Sequence, residues 1–209
     1  MRYCVLVAAR STFLCWNVNR KPLQRLVAEL ARSRDVEVVI LLECDVGPND
    51  LLESLNQGPG PAFHHAISPG TTGSETIRIF TRCSPDTIRP LHDGPRFLNA
   101  TMVRSQALKE FRTVQGRHYQ FFYNPMWGHF GDRDREPPGT YYRDSNQQVN
   151  YYWNIFDQVL IRPSLLGMLP RDGVEIVTHA GRFPLLASNG LPNRAVASDH
   201  LPLLFRLGF

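Results

Sequence analysis

Six residues of this chain have the types and placement that chemistry needs: Asn17, Asn19, Glu43, Asp157, Asp199 and His200, each at the end of an apolar run or inside one. Glu43 follows Val38-Val39-Ile40-Leu41-Leu42, where an ionised carboxylate is costly unless a cation or hydrogen-bond donors meet it. Asn17 and Asn19 share strand parity, so both can present an amide to one face, as carbonyl ligand or as donor to a phosphate. Asp199 supplies a hard oxygen of the kind Mg2+ takes, and His200 titrates near neutral pH, which suits a base or a donor to a phosphoryl oxygen. Asp157 lies in Trp153-Asn154-Ile155-Phe156-Asp157-Gln158-Val159-Leu160. Its carboxylate would fix the tautomer of His200 and raise its basicity, as in an Asp–His dyad. Plainer readings stand beside these: Glu43 reaching solvent or an arginine, the asparagines as turn residues, and Asp157 bonded to backbone amides or Arg162.

Such groups act together only if their elements end at one place. Residues 13–18 are β-branched and aromatic and predict a strand, and residues 21–34 change to helical period, with Leu23, Leu26, Val27 and Leu30 on one face and Pro22 in the first turn. Residues 36–42 form a continuous apolar run, the pattern of a strand buried on both faces. A short helix is expected at 50–55, and further strands at 64–67, 76–81, 97–104, 118–123, 155–161, 174–178 and 203–207. Residues 128–146 read as a polar loop containing Asp132, Arg133, Asp134 and Arg135. Late strands without intervening helices argue against a doubly wound parallel sheet, and predict an α/β fold of two mixed sheets packed as a sandwich with helices outside.

With 209 residues, 43% of them hydrophobic, the chain suits one domain over residues 1–209. A net charge of +4 and a pI near 9.0 favour an anionic partner, nucleic acid or another phosphate ester, over solubilising surface alone. Cys4, Cys15, Cys44 and Cys83 show no CxxC pairing and read as small buried hydrophobes in a reducing, cytoplasmic setting. No segment has the apolar length of a membrane span, and the run at residues 3–9 lacks the features of an export signal.

Trp16-Asn17-Val18-Asn19, Leu42-Glu43, Phe156-Asp157-Gln158-Val159-Leu160 and Ser198-Asp199-His200 resemble four ordered motifs of the endonuclease/exonuclease/phosphatase superfamily. The resemblance spans residues 13–205, and Phe121 to Trp127 with Gly139-Thr140-Tyr141-Tyr142 is similar to the late part of bacterial members. It implies a four-layer DNase I-like fold and hydrolysis of phosphate esters with Mg2+ or Mn2+. By that resemblance Glu43 and Asp199 hold the metal with help from Asn17 or Asn19, Asp157 orients His200, and His200 faces the scissile phosphate. Asn19 stands where nuclease branches often carry aspartate, which implies a differently charged metal shell.

The departures carry weight too. Members of the family carry a further histidine-bearing strand, a helix and a strand ending in Gly-Asp-Phe-Asn before the segment at His118. Here only residues 105–116 fill that interval, without an aspartate. The chain reads as internally shortened, lacking central strands, with sheet edges that an oligomer would cover. A nuclease or phosphodiesterase is the leading expectation, with Arg104, Lys109, Arg112, Arg117 and Arg133 on backbone phosphates and Tyr123, Trp127, Tyr141 and Tyr142 stacking on bases. Core packing is an equal reading for any one of those aromatics. The alternatives are a binding module that keeps the scaffold and turns over little, and an ordinary α/β protein whose motifs coincide by chance.

Overall fold

Two parallel strands joined by one helix carry the centre of the fold. The computed structural model describes residues 10–66, 77–84, 99–101, 103–131, 136–144 and 152–208. β1 (Ser11–Asn17) leads into α1 (Gln24–Ser33), then β2 (Val38–Leu42) and α2 (Pro48–Leu55). α1 turns Val27, Ala28, Leu30 and Ala31 inward, and α2 adds Leu51 and Leu55. Full burial of each leucine contributes about 1.5–3 kcal/mol. The helix begins later than its periodicity suggests, and Pro22 precedes it instead of occupying its first turn. Asn19 and Arg20 take left-handed φ values of 48° and 58°, so the chain is still turning there.

β3 (His64–Ala66) and β4 (Arg78–Thr81) extend the sheet on one side. β5 (Asn99–Thr101), a single helical turn α3 (Arg104–Ala107), β6 (Phe111–Val114) and β7 (Arg117–Tyr123) follow. A 3-10 turn at Pro125–His129 precedes the short strands β8 (Tyr141–Arg143) and β9 (Tyr152–Asn154). After a second 3-10 turn at Pro163–Met168 come β10 (Val174–Ile176), β11 (His179–Ala180), β12 (Phe183–Pro184) and β13 (Leu203–Leu207). The six-stranded sheet has the order β10-β13-β1-β2-β4-β3, with β1 and β2 its parallel pair and its other pairings antiparallel. β5, β7 and β6 make a separate three-stranded sheet, and β8 pairs with β9. The class is thus mixed α/β, as the pattern predicts.

Several expected elements take other forms. Of the strand expected at 97–104, Asn99–Thr101 is a strand and Arg104 opens α3; residues 97, 98 and 102 lie outside the described residues. Residues 155–161 are irregular. Their backbone groups are used elsewhere, Ile161 in an isolated bridge with Tyr123 and the Asp157 amide by Thr140 Oγ1. The residues expected as one loop at 128–146 include β8, while Asp132 to Arg135 lie outside the described residues. β2 alternates in burial: Val39 and Leu41 are fully enclosed, whereas Val38, Ile40 and Leu42 are half-buried. On the face that Val38 shares, Phe13 of β1 and Phe205 of β13 stack on each other, their rings 4.6 Å apart. Among the described residues no helix is long and apolar enough to cross a membrane.

Candidate active site

Parallel pairing sets Asn17 opposite Leu42, so the residues that follow β1 and β2 emerge side by side. β13 runs antiparallel to β1 with Cys15 opposite Leu203, which brings the residues before β13 to the same edge. Asn17, Asn19, Glu43, Asp199 and His200 therefore meet, although 180 positions separate Asn19 from Asp199. Two backbone bonds lock the turns together, from Val18 N to Leu42 O at 3.0 Å and from Arg20 N to Glu43 O at 2.7 Å. Glu43 sits at φ 49°, a left-handed conformation that costs a non-glycine residue about 1–2 kcal/mol.

Each carboxylate of this edge is met by an amide. Asn17, nearly buried, donates from Nδ2 to Glu43 Oε1 at 2.9 Å and accepts the Asn19 amide on Oδ1 at 2.9 Å. Asn19 donates from Nδ2 to Asp199 Oδ1, also at 2.9 Å. Asn19 achieves this from the turn: β1 ends at Asn17, so the shared strand parity expected of the two asparagines is absent. Ser198 ties the two halves, donating from Oγ to Asn17 O at 2.7 Å and accepting the His200 amide at 3.2 Å. Trp16, fully enclosed, donates from Nε1 to His200 O at 2.8 Å.

His200 Nδ1 lies 2.7 Å from Asp157 Oδ2, with the two side chains only 13% and 11% exposed. The irregular path of residues 155–161 makes this contact, because Thr140 receives the Asp157 amide on its hydroxyl and the Leu201 amide on its carbonyl. Tyr141 bridges to His200 through the backbone and lays its ring 4.7 Å from the imidazole. Among the described residues no hydrogen bond reaches Nε2, which is the nitrogen left for a ligand. Burial alone would lower the His200 pKa. The Asp157 hydrogen bond and charge, with Asp199 and Glu43 adding theirs, outweigh it and hold the imidazole above its ordinary value of 6.5.

Glu43 and Asp199 offer hard oxygens of the kind a divalent cation takes. Among the described residues no group of three or more His, Cys, Asp and Glu side chains is gathered as a metal centre. A cation at this edge would draw on two carboxylates and complete its shell with water or substrate oxygens, a habit of Mg2+. No protein-family model matches the chain, and no curated protein matches it. The geometry is that of an imidazole held by a carboxylate through Nδ1, beside two amide-supported carboxylates.

Glu43 has Asn17 as its partner, and Asp157 has His200, while Arg162 is engaged by Gln120 at 2.8 Å and lies over the Phe122 ring. Asn124 does not fill the place of the absent aspartate. Its side chain caps the Met126 amide and donates to Gln158 Oε1 at 2.7 Å. Arg104 is occupied by the carbonyls of Leu166 and Leu169, while Lys109, Arg112 and Arg117 are exposed and Arg133 lies outside the described residues. Cys15 and Cys44 are free thiols, Cys83 is half-buried, and Cys4 lies outside the described residues. Burial first, and the Asp157 charge second, push the Cys15 thiol up to about 12, so it stays protonated beside the dyad. Sequence reasoning passed over Thr140, which has no chemistry of its own, and Lys21, whose ammonium holds the Arg194 and Ala197 carbonyls at 2.5 and 2.7 Å. Their roles depend on contacts more than 150 positions apart for Lys21, which periodicity does not reveal.

Proposed function

We propose that this chain is a divalent-metal-dependent phosphoesterase, a nuclease or phosphodiesterase, built on a shortened DNase I-like sandwich of the endonuclease/exonuclease/phosphatase type. The observation that carries the reading is the convergence of the Asp157–His200 pair with the amide-supported carboxylates Glu43 and Asp199 at one sheet edge. Asp157 holds the Nδ1 proton, so His200 meets the substrate through Nε2. With its pKa raised, the imidazole is available as a cation that donates to a non-bridging phosphate oxygen, and in its neutral form it accepts a proton from water. Asn17 and Asn19 keep the two carboxylates aimed at the same space. A bound Mg2+ or Mn2+ would supply positive charge to the oxygen that develops negative charge. The basic balance of the chain and exposed Arg112 and Arg117 favour a polyanionic substrate such as nucleic acid.

The test is hydrolysis by the purified chain of single-stranded, duplex and abasic DNA, of RNA and of a generic phosphodiester, with Mg2+ or Mn2+. Activity lost in both His200→Ala and Glu43→Ala is the expected result. Turnover that survives either substitution would refute the assignment. A second reading, a binding module with little turnover, is favoured by residues 105–116, which carry no aspartate to position the attacking water; metal-independent nucleic-acid binding without hydrolysis would select it.

A further inference from the structure

Beside the dyad lies a small, mainly apolar slot of about 170 Å³, walled by Trp127, Phe130 and Phe156 and edged by the carboxamides of Asn124, Asn154 and Gln158. Large apolar side chains are seldom left in the open together without use, yet Trp127 is 52% exposed, Phe130 58% and Phe156 56%. The slot has definite walls. Trp127 and Phe130 meet edge to face at 6.5 Å on and just beyond the 3-10 turn, which Asn124 fixes by capping the Met126 amide. Phe156 stands on the other side, next in sequence to Asp157.

A continuous row of rings joins the slot to the imidazole. His200 and Tyr141 are 4.7 Å apart, and Tyr141 and Phe156 5.1 Å apart. Arg194 sits over Tyr141 at 5.8 Å and donates to the Tyr142 carbonyl, which places a cation along the same row. Among the described residues no charged side chain lines the slot itself. An apolar peptide would match the rings but would leave the Arg194 cation unused, and the carboxamides are already engaged with one another and with the backbone. A planar heterocycle attached to an anionic backbone uses both the rings and the cation.

We propose that the slot receives one unpaired nucleobase of a polynucleotide, and that the attacked phosphate belongs to a neighbouring nucleotide placed at His200. This deepens the nuclease reading and rests on it for the position of the phosphate. A base can enter between Phe156 and Trp127 only when it is out of a duplex stack, so the substrate class is single-stranded nucleic acid, or a strand end or lesion where a base is already unstacked. Base-on-ring stacking supplies affinity without reading sequence.

Binding separates this proposal from the hydrolase reading. In a His200→Ala background, a short oligo-dT is titrated while tryptophan fluorescence is followed, with Trp127→Phe as the blank for Trp16 and Trp153, and the matching dT·dA duplex is titrated in parallel. The expected result is quenching by the single strand, with Phe156→Leu and Phe130→Leu each weakening it about 5- to 100-fold and leaving the weaker duplex binding unmoved. Equal affinity for strand and duplex, or a Phe156→Leu variant that binds oligo-dT like its parent, would overturn the slot. Should the unmutated chain fail to hydrolyse any ester while ring-dependent binding persists, the slot stands and the hydrolase reading falls. Hydrolysis with no preference for unpaired strands, and no effect of the ring substitutions, has the opposite meaning.

Discussion

Asn17→Asp replaces one amide nitrogen by oxygen at the most interconnected position of the site. The carboxylate can still accept the Asn19 amide, now made at 2.9 Å, so the turn after β1 is kept. It can no longer donate to Glu43 Oε1, also at 2.9 Å. Loss of that bond to a charged group removes about 1.5–3 kcal/mol. The added charge then faces Glu43 at hydrogen-bond distance, where two unit charges in a surroundings of effective dielectric near 20 repel by about 4 kcal/mol before the side chains swing apart. Part of that is relieved because Glu43 is only half-buried. A net destabilisation of about 3–5 kcal/mol at neutral pH follows, from the lost bond and the partly relieved repulsion. Urea unfolding of the metal-free protein measures it, with Asn17→Ala, which loses the donor without adding charge, as the milder comparison. Saturating Mg2+ should narrow the gap for Asn17→Asp, since a cation bound by Glu43 and Asp199 is drawn to the extra carboxylate: Mg2+ at a hundredfold excess over the parent's Kd adds about 2.7 kcal/mol to the parent and more to the variant, whose Kd is lower. A variant as stable as its parent without metal would refute the assigned hydrogen bond. A gap that Mg2+ leaves unchanged would refute the cation site.

Asp157→Asn should lower the His200 pKa in the metal-free protein, read by NMR titration, and reduce hydrolysis about 10²- to 10⁴-fold if His200 transfers the proton. Because the folded value is raised above 6.5, the stabilisation from protonated His200 is complete below the unfolded value and is lost as pH rises through the folded one. The stability gap between parent and variant should therefore be wider in mildly acidic than in alkaline solution; a gap that widens with pH contradicts the pair. Trp16→Phe keeps the ring in the core and strips the donor from the His200 carbonyl, which should cost about 1–3 kcal/mol in urea unfolding, and an unchanged midpoint would show that the carbonyl finds another partner.

What could be read from the chain alone follows from where its signals are local. β1, β2 and β13 are dense in apolar residues and α1 has a clear stripe, so their existence is legible within a few residues. β6 is not, because all four of its residues are exposed and carry no burial rhythm. Residues 155–161 look like a strand because Ile155, Val159 and Ile161 are apolar, yet they pack into the core from an irregular backbone whose donors serve Thr140 and Tyr123. Asp157, Asp199 and His200 were recognisable as site candidates from their apolar surroundings and order. Whether Asp157 would face His200 or Arg162 depended on that irregular path, and Asn19 reaches Asp199 only through a left-handed turn that no residue type in the sequence demands.

The position of β13 between β10 and β1 has a kinetic meaning. β1 gains its antiparallel neighbour from residues nearly two hundred positions later, and Trp16 finds the His200 carbonyl across a separation of 184. Loop-closure entropy rises slowly with length, but it must be met before any of these contacts rewards it, so folds rich in such contacts assemble late and slowly. Until β13 docks, one edge of β1 stays open to other strands, and the site has only its Asn17–Glu43 half. Commitment to the native sheet and assembly of the Asn19–Asp199 contact are then one event, reached at the last long closure of the chain.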